Sequence, residues 1–336
     1  MTRTTTLPTS TTTMRAVVQD RYGDADVLRP SERPVPRVLR PDEVLVRVHA
    51  AGLDRGTWHL MTGTPYAVRL VTGLRRPRQP VPGLDLAGTV EAVGAAVARF
   101  APGDEVYGIG TGTYAEYAVA KEGKLAPKPA GLSDQEAATV AVSGLTALQS
   151  VTDIAGVRAG QRVLVTGASG GVGSYAVQIA VAAGAEVTGV CSAAKADLVR
   201  SLGAAHVLDY ARDDIAGTGE RYDVIIDIAG DVPLPRLRRA LAPSGTAVLV
   251  GSENAGRITG MSRQLLGLVV SVFSRQRLTM RVPRERAADL ERLSALIEAG
   301  RVTPSVGATY PLADAAEAMR DLVAGRVRGK VAIVVT

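Results

Sequence analysis

Residues 162–185 read RVLVTGASGGVGSYAVQIAVAAGA. The apolar run RVLVT leads straight into Gly167, Gly170, Gly171 and Gly173. A run with the spacing of an amphipathic helix follows. Glycines let a backbone turn sharply and come close to a pyrophosphate. The start of the following helix offers unpaired N–H groups and the positive end of its dipole. A glycine cluster alone says little, but one set between a strand and a helix predicts a dinucleotide-binding turn.

Downstream of this turn, strand and helix alternate. EVTGVC (186–191), a short run near His206–Leu208, YDVIIDI (222–228) and TAVLVG (246–251) read as strands. Helices are expected at 194–202, 232–241 and 284–299. This βαβ rhythm predicts a doubly wound parallel sheet. Upstream the rhythm differs. MRAVVQ, EVLVRVHAAGL, LAGTVEAVG, DEVYGI and AEYAVA are short alternating runs, separated by turns such as Pro82-Gly83 and Pro102-Gly103-Asp104. They predict a partly open β-barrel of about 100 residues. Between the two patterns, SDQEAATVAVSGLTALQSV opens on Ser133 with Glu136 three residues later. That is a capping-box signature, which marks a helix start.

The bulk numbers fit two domains in one chain of 336 residues, because a single core rarely grows past about 300. With one cysteine, Cys191, neither an internal disulfide nor a Cys-based zinc site is possible. A reducing, cytoplasmic setting is expected. The charge of +6 comes without a zinc-finger spacing or an RNA-binding aromatic signature, so nucleic acid is not expected as a partner. Arg75, Arg76 and Arg78 read as a solvated loop. Residues 1–13 are Thr-rich, lack the apolar stretch of a signal peptide, and read as a disordered leader.

The end of the second Rossmann strand bears on the choice of cofactor. NAD enzymes usually place an acidic residue there to hold the ribose 2′-hydroxyl. This chain has Cys191 and Ser192, then Lys195. A hydroxyl and an ammonium attract a 2′-phosphate that a carboxylate would repel, so NADPH is expected. The bland alternative for Lys195 is a solvated helix face.

VPGLDLAGTVEAVG, APGDEVYG, TYAEYAVA, SGLTALQ, GASGGVG, VTGVCS, LGAAHVLDY and GRVRGKVAIVV together resemble the medium-chain dehydrogenase/reductase superfamily. Within it the chain is similar to the zinc-free quinone oxidoreductase branch and its reticulon-interacting NADPH oxidoreductase group. The resemblance runs from Met14 to the C-terminus. It implies a GroES-like barrel, 14–138 with 304–336, interrupted by a Rossmann domain, 139–303. It also implies a homodimer. By matching position it assigns cofactor contacts to Ser169, Gly170, Gly171 and Val172 at the turn. It adds Ser192 and Lys195 at the 2′-phosphate, Tyr210 near the adenosine, Thr146 near the nicotinamide, and Gly251. Arg328 reads equally as a further contact or as a surface charge.

Zinc alcohol dehydrogenases place a cysteine in the segment matching AAGLDRGTWH, where this chain has Leu53 and Asp54. They place His-Glu where it has Leu84-Asp85. No metal is therefore expected. Without a Lewis acid, an easy hydride acceptor is favoured: a quinone or an α,β-unsaturated carbonyl, whose conjugated system spreads the charge. In the cleft loop DRGTWHLMTGTPY, Tyr66 is the candidate hydrogen-bond donor to the developing oxyanion. A packing role is its rival. Asp54 is expected to orient a water or to pair with Arg55 or Arg69. The resembled branch often has Asn and Asp where this chain has Asp54 and Thr57. The apolar stretch 261–280 reads as a cover for the cleft, a dimer contact or a membrane-surface patch, with membrane contact the least favoured. Two further functions stay open: an enone or enoyl reductase acting on a biosynthetic intermediate, and an NADPH-binding sensor or scaffold with little turnover.

Overall fold

The computed structural model of the chain describes residues 13–37, 39–217, 219–251, 260–280 and 282–335. Apart from Thr13, the Thr-rich leader lies outside the described residues. Thr13 opens the first strand, β1 (Thr13–Val18), which pairs antiparallel with β2 (Arg29–Pro34).

Four strands form the barrel: β3 (Glu43–Leu53), β4 (Asp85–Val93), β5 (Glu105–Thr111) and β6 (Tyr117–Pro127). Each pairs antiparallel with the next, and β3 pairs again with β6, which closes the ring. Closure leaves these four strands no free edge on the ring. Register shifts between Leu45 and Val46 and between Val48 and Ala50 bend β3 around it.

The second sheet is wholly parallel. It contains β7 (Arg162–Thr166), β8 (Glu186–Cys191), β9 (His206–Asp209), β10 (Tyr222–Asp227), β11 (Leu241–Leu249) and β12 (Arg277–Thr279). The order is β12-β11-β10-β7-β8-β9, so the winding reverses between β7 and β10. Buried runs in β7 and β10 reflect helices on both faces. The chain then returns to the barrel through β13 (Val306–Pro311) and β14 (Lys330–Val334), the latter antiparallel to β3. The fold is thus α/β, a GroES-like barrel joined to a Rossmann sheet. One hydrophobic cluster runs through both, from Ala50, Ala87 and Tyr107 to Val163, Val165 and Ile226.

One local expectation is met and another needs correction. The capping box at Ser133 forms, with Ser133 N–H donating to Glu136 Oε2 at 2.9 Å and Glu136 N–H to Ser133 Oγ at 3.3 Å. Its helix nevertheless stops at Ala137 and restarts as Ala141–Leu148. Within the break, the Thr139 carbonyl accepts the Tyr175 hydroxyl at 3.2 Å. The helix Gly171–Ala182 is not amphipathic in place. Gly173 through Ala180 are all buried, because the helix is sandwiched between the sheet and the helix Ala141–Leu148.

Candidate functional site

The glycine turn leaves β7 at the sheet's reversal point, where α/β folds bind ligands. Gly167 takes φ +65°, a left-handed conformation that costs glycine little. At Gly173 a Cβ would stand 2.1 Å from the Gly167 carbonyl oxygen, so only glycine lets the helix start this close to the strand. Gly170 caps that helix and has no side chain to satisfy its first N–H groups. Those groups are what an anion would meet. Beside the turn lies a cleft of about 450 Å³, lined by Gly167, Ser169, Cys191, Ser192, Lys195 and Tyr210 among others. Asp213, Asp231 and Arg236 also line it. An open glycine cradle at a helix N-terminus, continuous with a cleft, fits a dinucleotide.

The structure brings most of the expected cofactor residues together here. Ser169, Ser192, Lys195 and Tyr210 line the cleft, while Gly170, Gly171 and Val172 form the turn and the first residues of its helix. Lys195 is half-buried rather than on a fully solvated helix face. Its Nζ donates to the carbonyls of Gly325 at 2.8 Å and Val327 at 2.6 Å. Burial, and then the nearby Arg328 charge, lower the pKa of its ammonium. Arg328 bonds the Ala194 carbonyl at 3.1 Å and pairs with Asp197. Gly329 N–H donates to the Ser169 carbonyl at 2.9 Å. The segment 325–330 therefore laces the barrel's last strand to the rim of the cleft. Two expected residues stand further off. Thr146 lies on the helix Ala141–Leu148 and donates to the Val142 carbonyl at 2.7 Å. Gly251 follows β11, and its carbonyl accepts Gln264 Nε2 at 2.9 Å.

Sequence reasoning missed two networks. Lys330, the next residue of the lacing segment, is 1% exposed. Its Nζ donates to Ser143 Oγ at 3.0 Å and stands 3.5 Å from Asp85 Oδ2. Its stem reaches the glycine turn, with Cδ 2.9 Å from where a Cβ on Gly171 would be. Asp85 is fully buried, and its Oδ1 accepts Val142 N–H at 2.8 Å. Burial pushes its pKa up to about 7; Lys330 opposes the rise and the Asp54 charge adds to it. The second network lies below the cleft. Asp227 accepts Thr166 Oγ1 at 2.8 Å and pairs with Arg263 at 2.6 Å. Arg263 also donates to the Val232 carbonyl, on the cleft wall. The signal for both was available: Asp85 in VPGLDLAGTV and Asp227 in YDVIIDI are charges inside apolar runs, and a buried charge needs a partner.

On the barrel side, Asp54 caps the helix Arg55–Thr62, accepting Thr57 N–H at 2.8 Å. Of the roles expected for Asp54, orienting a water or pairing with Arg55 or Arg69, the pairing with Arg69 does not form. The Arg69 guanidinium bonds the Gly63 carbonyl at 2.9 Å and stacks on Tyr22 and Tyr66. Arg55 stands over the Trp58 ring. The second Asp54 oxygen, Oδ2, is buried without a hydrogen-bond partner among the described residues. Tyr66, in the turn Tyr66–Val68, is 46% exposed with its ring 4.8 Å from the Arg69 guanidinium carbon. The neighbouring Pro65 meets Gly260 across the gap between barrel and Rossmann sheet: a Cβ on Gly260 would lie 2.6 Å from Pro65 Cγ. The residues at the zinc-ligand positions do not fit zinc. Leu53 and Leu84 carry no donor, Asp85 is bound to Val142 and Lys330, and Asp54 caps a helix.

Comparison with known proteins agrees with this geometry. Residues 40–130 match the alcohol dehydrogenase GroES-like domain, and residues 202–333 match a family described as zinc-binding dehydrogenase. The chain is 32% identical to the chloroplast envelope quinone oxidoreductase homolog of Arabidopsis thaliana, over 95% of this chain and 98% of that protein. It is 31% identical to the mitochondrial NAD(P)H oxidoreductase RTN4IP1 of Bos taurus, over 98% and 91%. Among solved structures, mycobacterial Rv1454c complexed with NADPH superposes with a TM-score of 0.81 at 28% identity, covering 96% of this chain and all of that one.

Proposed function

This chain belongs to the medium-chain dehydrogenase/reductase superfamily, and from that premise we propose an NADPH-dependent, zinc-independent oxidoreductase that reduces a quinone or an α,β-unsaturated carbonyl. The observation that carries the reading is the glycine turn opening on a cleft whose β8 rim holds Ser192 and Lys195 in place of a carboxylate. In this reading the N–H groups of Gly171 and Val172 hold the pyrophosphate. Ser192, Lys195 and Tyr210 hold the adenosine end and its 2′-phosphate, with Arg328 beside them. Thr146 and Gly251 flank the nicotinamide half. A nicotinamide bound there supplies a hydride.

Metal independence is supported by the donor set, since Leu53 and Leu84, at the zinc-ligand positions within the matched GroES-like segment 40–130, carry no donor atom for a zinc ion. Without a metal, the negative charge arriving on the acceptor needs a hydrogen bond. Tyr66 is the donor in this reading, and the Asp54 carboxylate, whose Oδ2 is buried without a partner among the described residues, orients a water. Enone or enoyl reduction needs the same parts, so both acceptor classes belong to one proposal.

The reading divides the chain into a catalytic unit, 14–138 with 304–336, and a cofactor unit, 139–303. Support comes from β13 and β14, which join the barrel's sheet. It also includes a homodimer in a reducing compartment such as the cytoplasm. No helix among the described residues is long and apolar enough to cross a membrane.

The test is NADPH oxidation against a panel of quinones, enones and saturated aldehydes, with and without a chelator. Turnover of quinones or enones that survives chelation is expected. Tight NADPH binding with no turnover of any acceptor would leave only a sensor or scaffold. Activity that vanishes on chelation would end the metal-free reading.

A further inference from the structure

The barrel carries a second cavity, distinct from the dinucleotide cleft. It holds about 200 Å³ between the helix Arg55–Thr62 and the segment that leads into β4, and it opens to solvent beside Val71. Leu60 and Val71 line one side, Val81 and Leu84 the other, and Thr111 one end. Gln19, just after β1, also lines it and is 2% exposed. Its backbone is fixed, with N–H donating to the Pro80 carbonyl at 2.8 Å. Its side-chain Oε1 is nevertheless buried without a hydrogen-bond partner among the described residues. A buried amide oxygen left this way has lost its water and gained nothing in return, which calls for an explanation.

The cavity's position gives one. Leu84 is a wall shared with the candidate reaction centre: its Cδ1 lies 4.0 Å from where a Cβ on Gly56 would stand, and that point is 3.0 Å from Asp54 Oδ1. The next residue, Asp85, turns the other way, toward Val142 and Lys330 beside the glycine turn. Successive residues of an extended chain alternate in this manner. Leu84 and Asp85 thus join the wall of the cavity to the residues packed beside the glycine turn.

We infer that this cavity is the subsite for the acceptor's ring, and that it takes a single six-membered ring whose keto or hydroxyl group is held by the Gln19 carboxamide. The inference rests on the acceptor reading above. Size sets the first half of it: a closed apolar cavity of about 150 Å³ holds benzene, so this pocket, open to solvent beside Val71, seats one ring with a small substituent and leaves a second fused ring in water. Chemistry sets the second half. A carboxamide carries both a donor and an acceptor, and a half-turn of the amide exchanges them. Gln19 can therefore donate to a ring carbonyl and accept from a ring hydroxyl, which are the oxidised and reduced ends of a quinone.

Direct binding separates this inference from turnover. p-Cresol, toluene and 2-naphthol are titrated into the NADP⁺-loaded full-length enzyme and into Gln19→Leu, with binding read by ligand-observed NMR. The wild type is expected to bind p-cresol about 10-fold more tightly than toluene and more tightly than 2-naphthol. Gln19→Leu should lose the preference for cresol, keep toluene and keep NADPH affinity. It should also melt no lower than the wild type, since it removes an unpaired buried polar group. A second variant, Leu60→Trp, fills the cavity and should abolish binding of both single-ring probes. In turnover, Gln19→Leu should raise the KM for 1,4-benzoquinone about 10-fold without lowering kcat to match. Unchanged cresol preference in Gln19→Leu, or 2-naphthol binding as well as p-cresol, would overturn the subsite even if quinones are reduced. Cresol binding that depends on Gln19 in a protein that reduces nothing would keep the subsite and sink the acceptor reading.

Discussion

Lys330 and Asp85 show what a single residue contributes at the junction of barrel and cofactor sheet. Both are buried, so neither charge is tolerated without the other. Replacing Lys330 with Met leaves Asp85 unpaired, at a cost of about 3–5 kcal/mol when Asp85 is ionised. The pH sign follows from the Asp85 carboxyl, which burial raises to about 7. A carboxyl with a raised folded-state pKa holds its proton more tightly folded than unfolded. Its contribution is complete below the unfolded value of about 4 and is lost as pH rises toward 7. Removing the opposing ammonium extends that loss to higher pH. Melting curves should therefore show a small deficit for Lys330→Met at pH 5 and a large one at pH 8; a deficit independent of pH would refute the pairing. Lys195 offers a second residue-level test. Lys195→Ala should weaken NADPH by about 10- to 100-fold and NADH much less, measured as Kd by fluorescence titration. Equal losses would mean that the lysine only laces Gly325 and Val327 to the rim. For Tyr66→Phe a kcat at least about 10-fold lower is expected, and an unaltered kcat removes the phenol from the chemistry. Lys195 was legible in the sequence because its place at the end of β8 has a chemical meaning. Lys330 was not. A lysine in GRVRGK looks like surface charge, and only the pairing of β14 with β3 carries it inside.

Among the elements, those whose pattern is local were legible. β3 falls at 43–53 and β7 at Arg162–Thr166, where the apolar runs put them. The elements that differ are set by partners far away in sequence. β6 runs on to Pro127 through KEGKLAP, because after a register shift β5 pairs again with Leu125, Ala126 and Pro127, which overrides the polar composition between. β11 begins at Leu241, ahead of a Pro-Ser-Gly turn signal, because Tyr222 pairs with Leu241. β2, Arg29–Pro34, has no apolar alternation to announce it and exists as the partner of β1. The glycine turn is the opposite case, since its geometry is written in single residues. Gly173→Ala puts a methyl 2.1 Å from the Gly167 carbonyl oxygen and must push the helix away from the strand. Losing a backbone hydrogen bond to a charged pyrophosphate costs about 1.5–3 kcal/mol, so NADPH affinity should fall about 10- to 100-fold. Gly123→Ala, with nothing within 4 Å of the new methyl, is the control and should bind NADPH as the wild type does. Similar affinities for the two variants would show that the turn does not carry the cofactor.

At the scale of the whole molecule, one face has an unexplained surface. The helix Ser262–Val272 exposes Leu265, Leu266, Val269 and Val272, and Phe273 just after it is 86% exposed. Beside it β12 ends the parallel sheet, and among the described residues it pairs only with β11. An apolar helix face next to an open sheet edge is expensive to leave in water and prone to pair with another chain. Of the three uses expected for 261–280, the dimer contact fits this arrangement best. The side chains that face inward from the same helix already serve the fold, Arg263 reaching Asp227 and Gln264 the Gly251 carbonyl. The outward face is therefore free for a partner, and a second copy of this chain presents a matching edge and face by two-fold symmetry. Sedimentation equilibrium at micromolar concentration should give twice 34.9 kDa. Val269→Glu combined with Phe273→Glu should shift the mass toward 34.9 kDa, because burying two carboxylates against an apolar face costs more than such a contact yields. A wild type that sediments as a monomer would remove the dimer, whereas a charged variant that remains dimeric would move the contact to another surface.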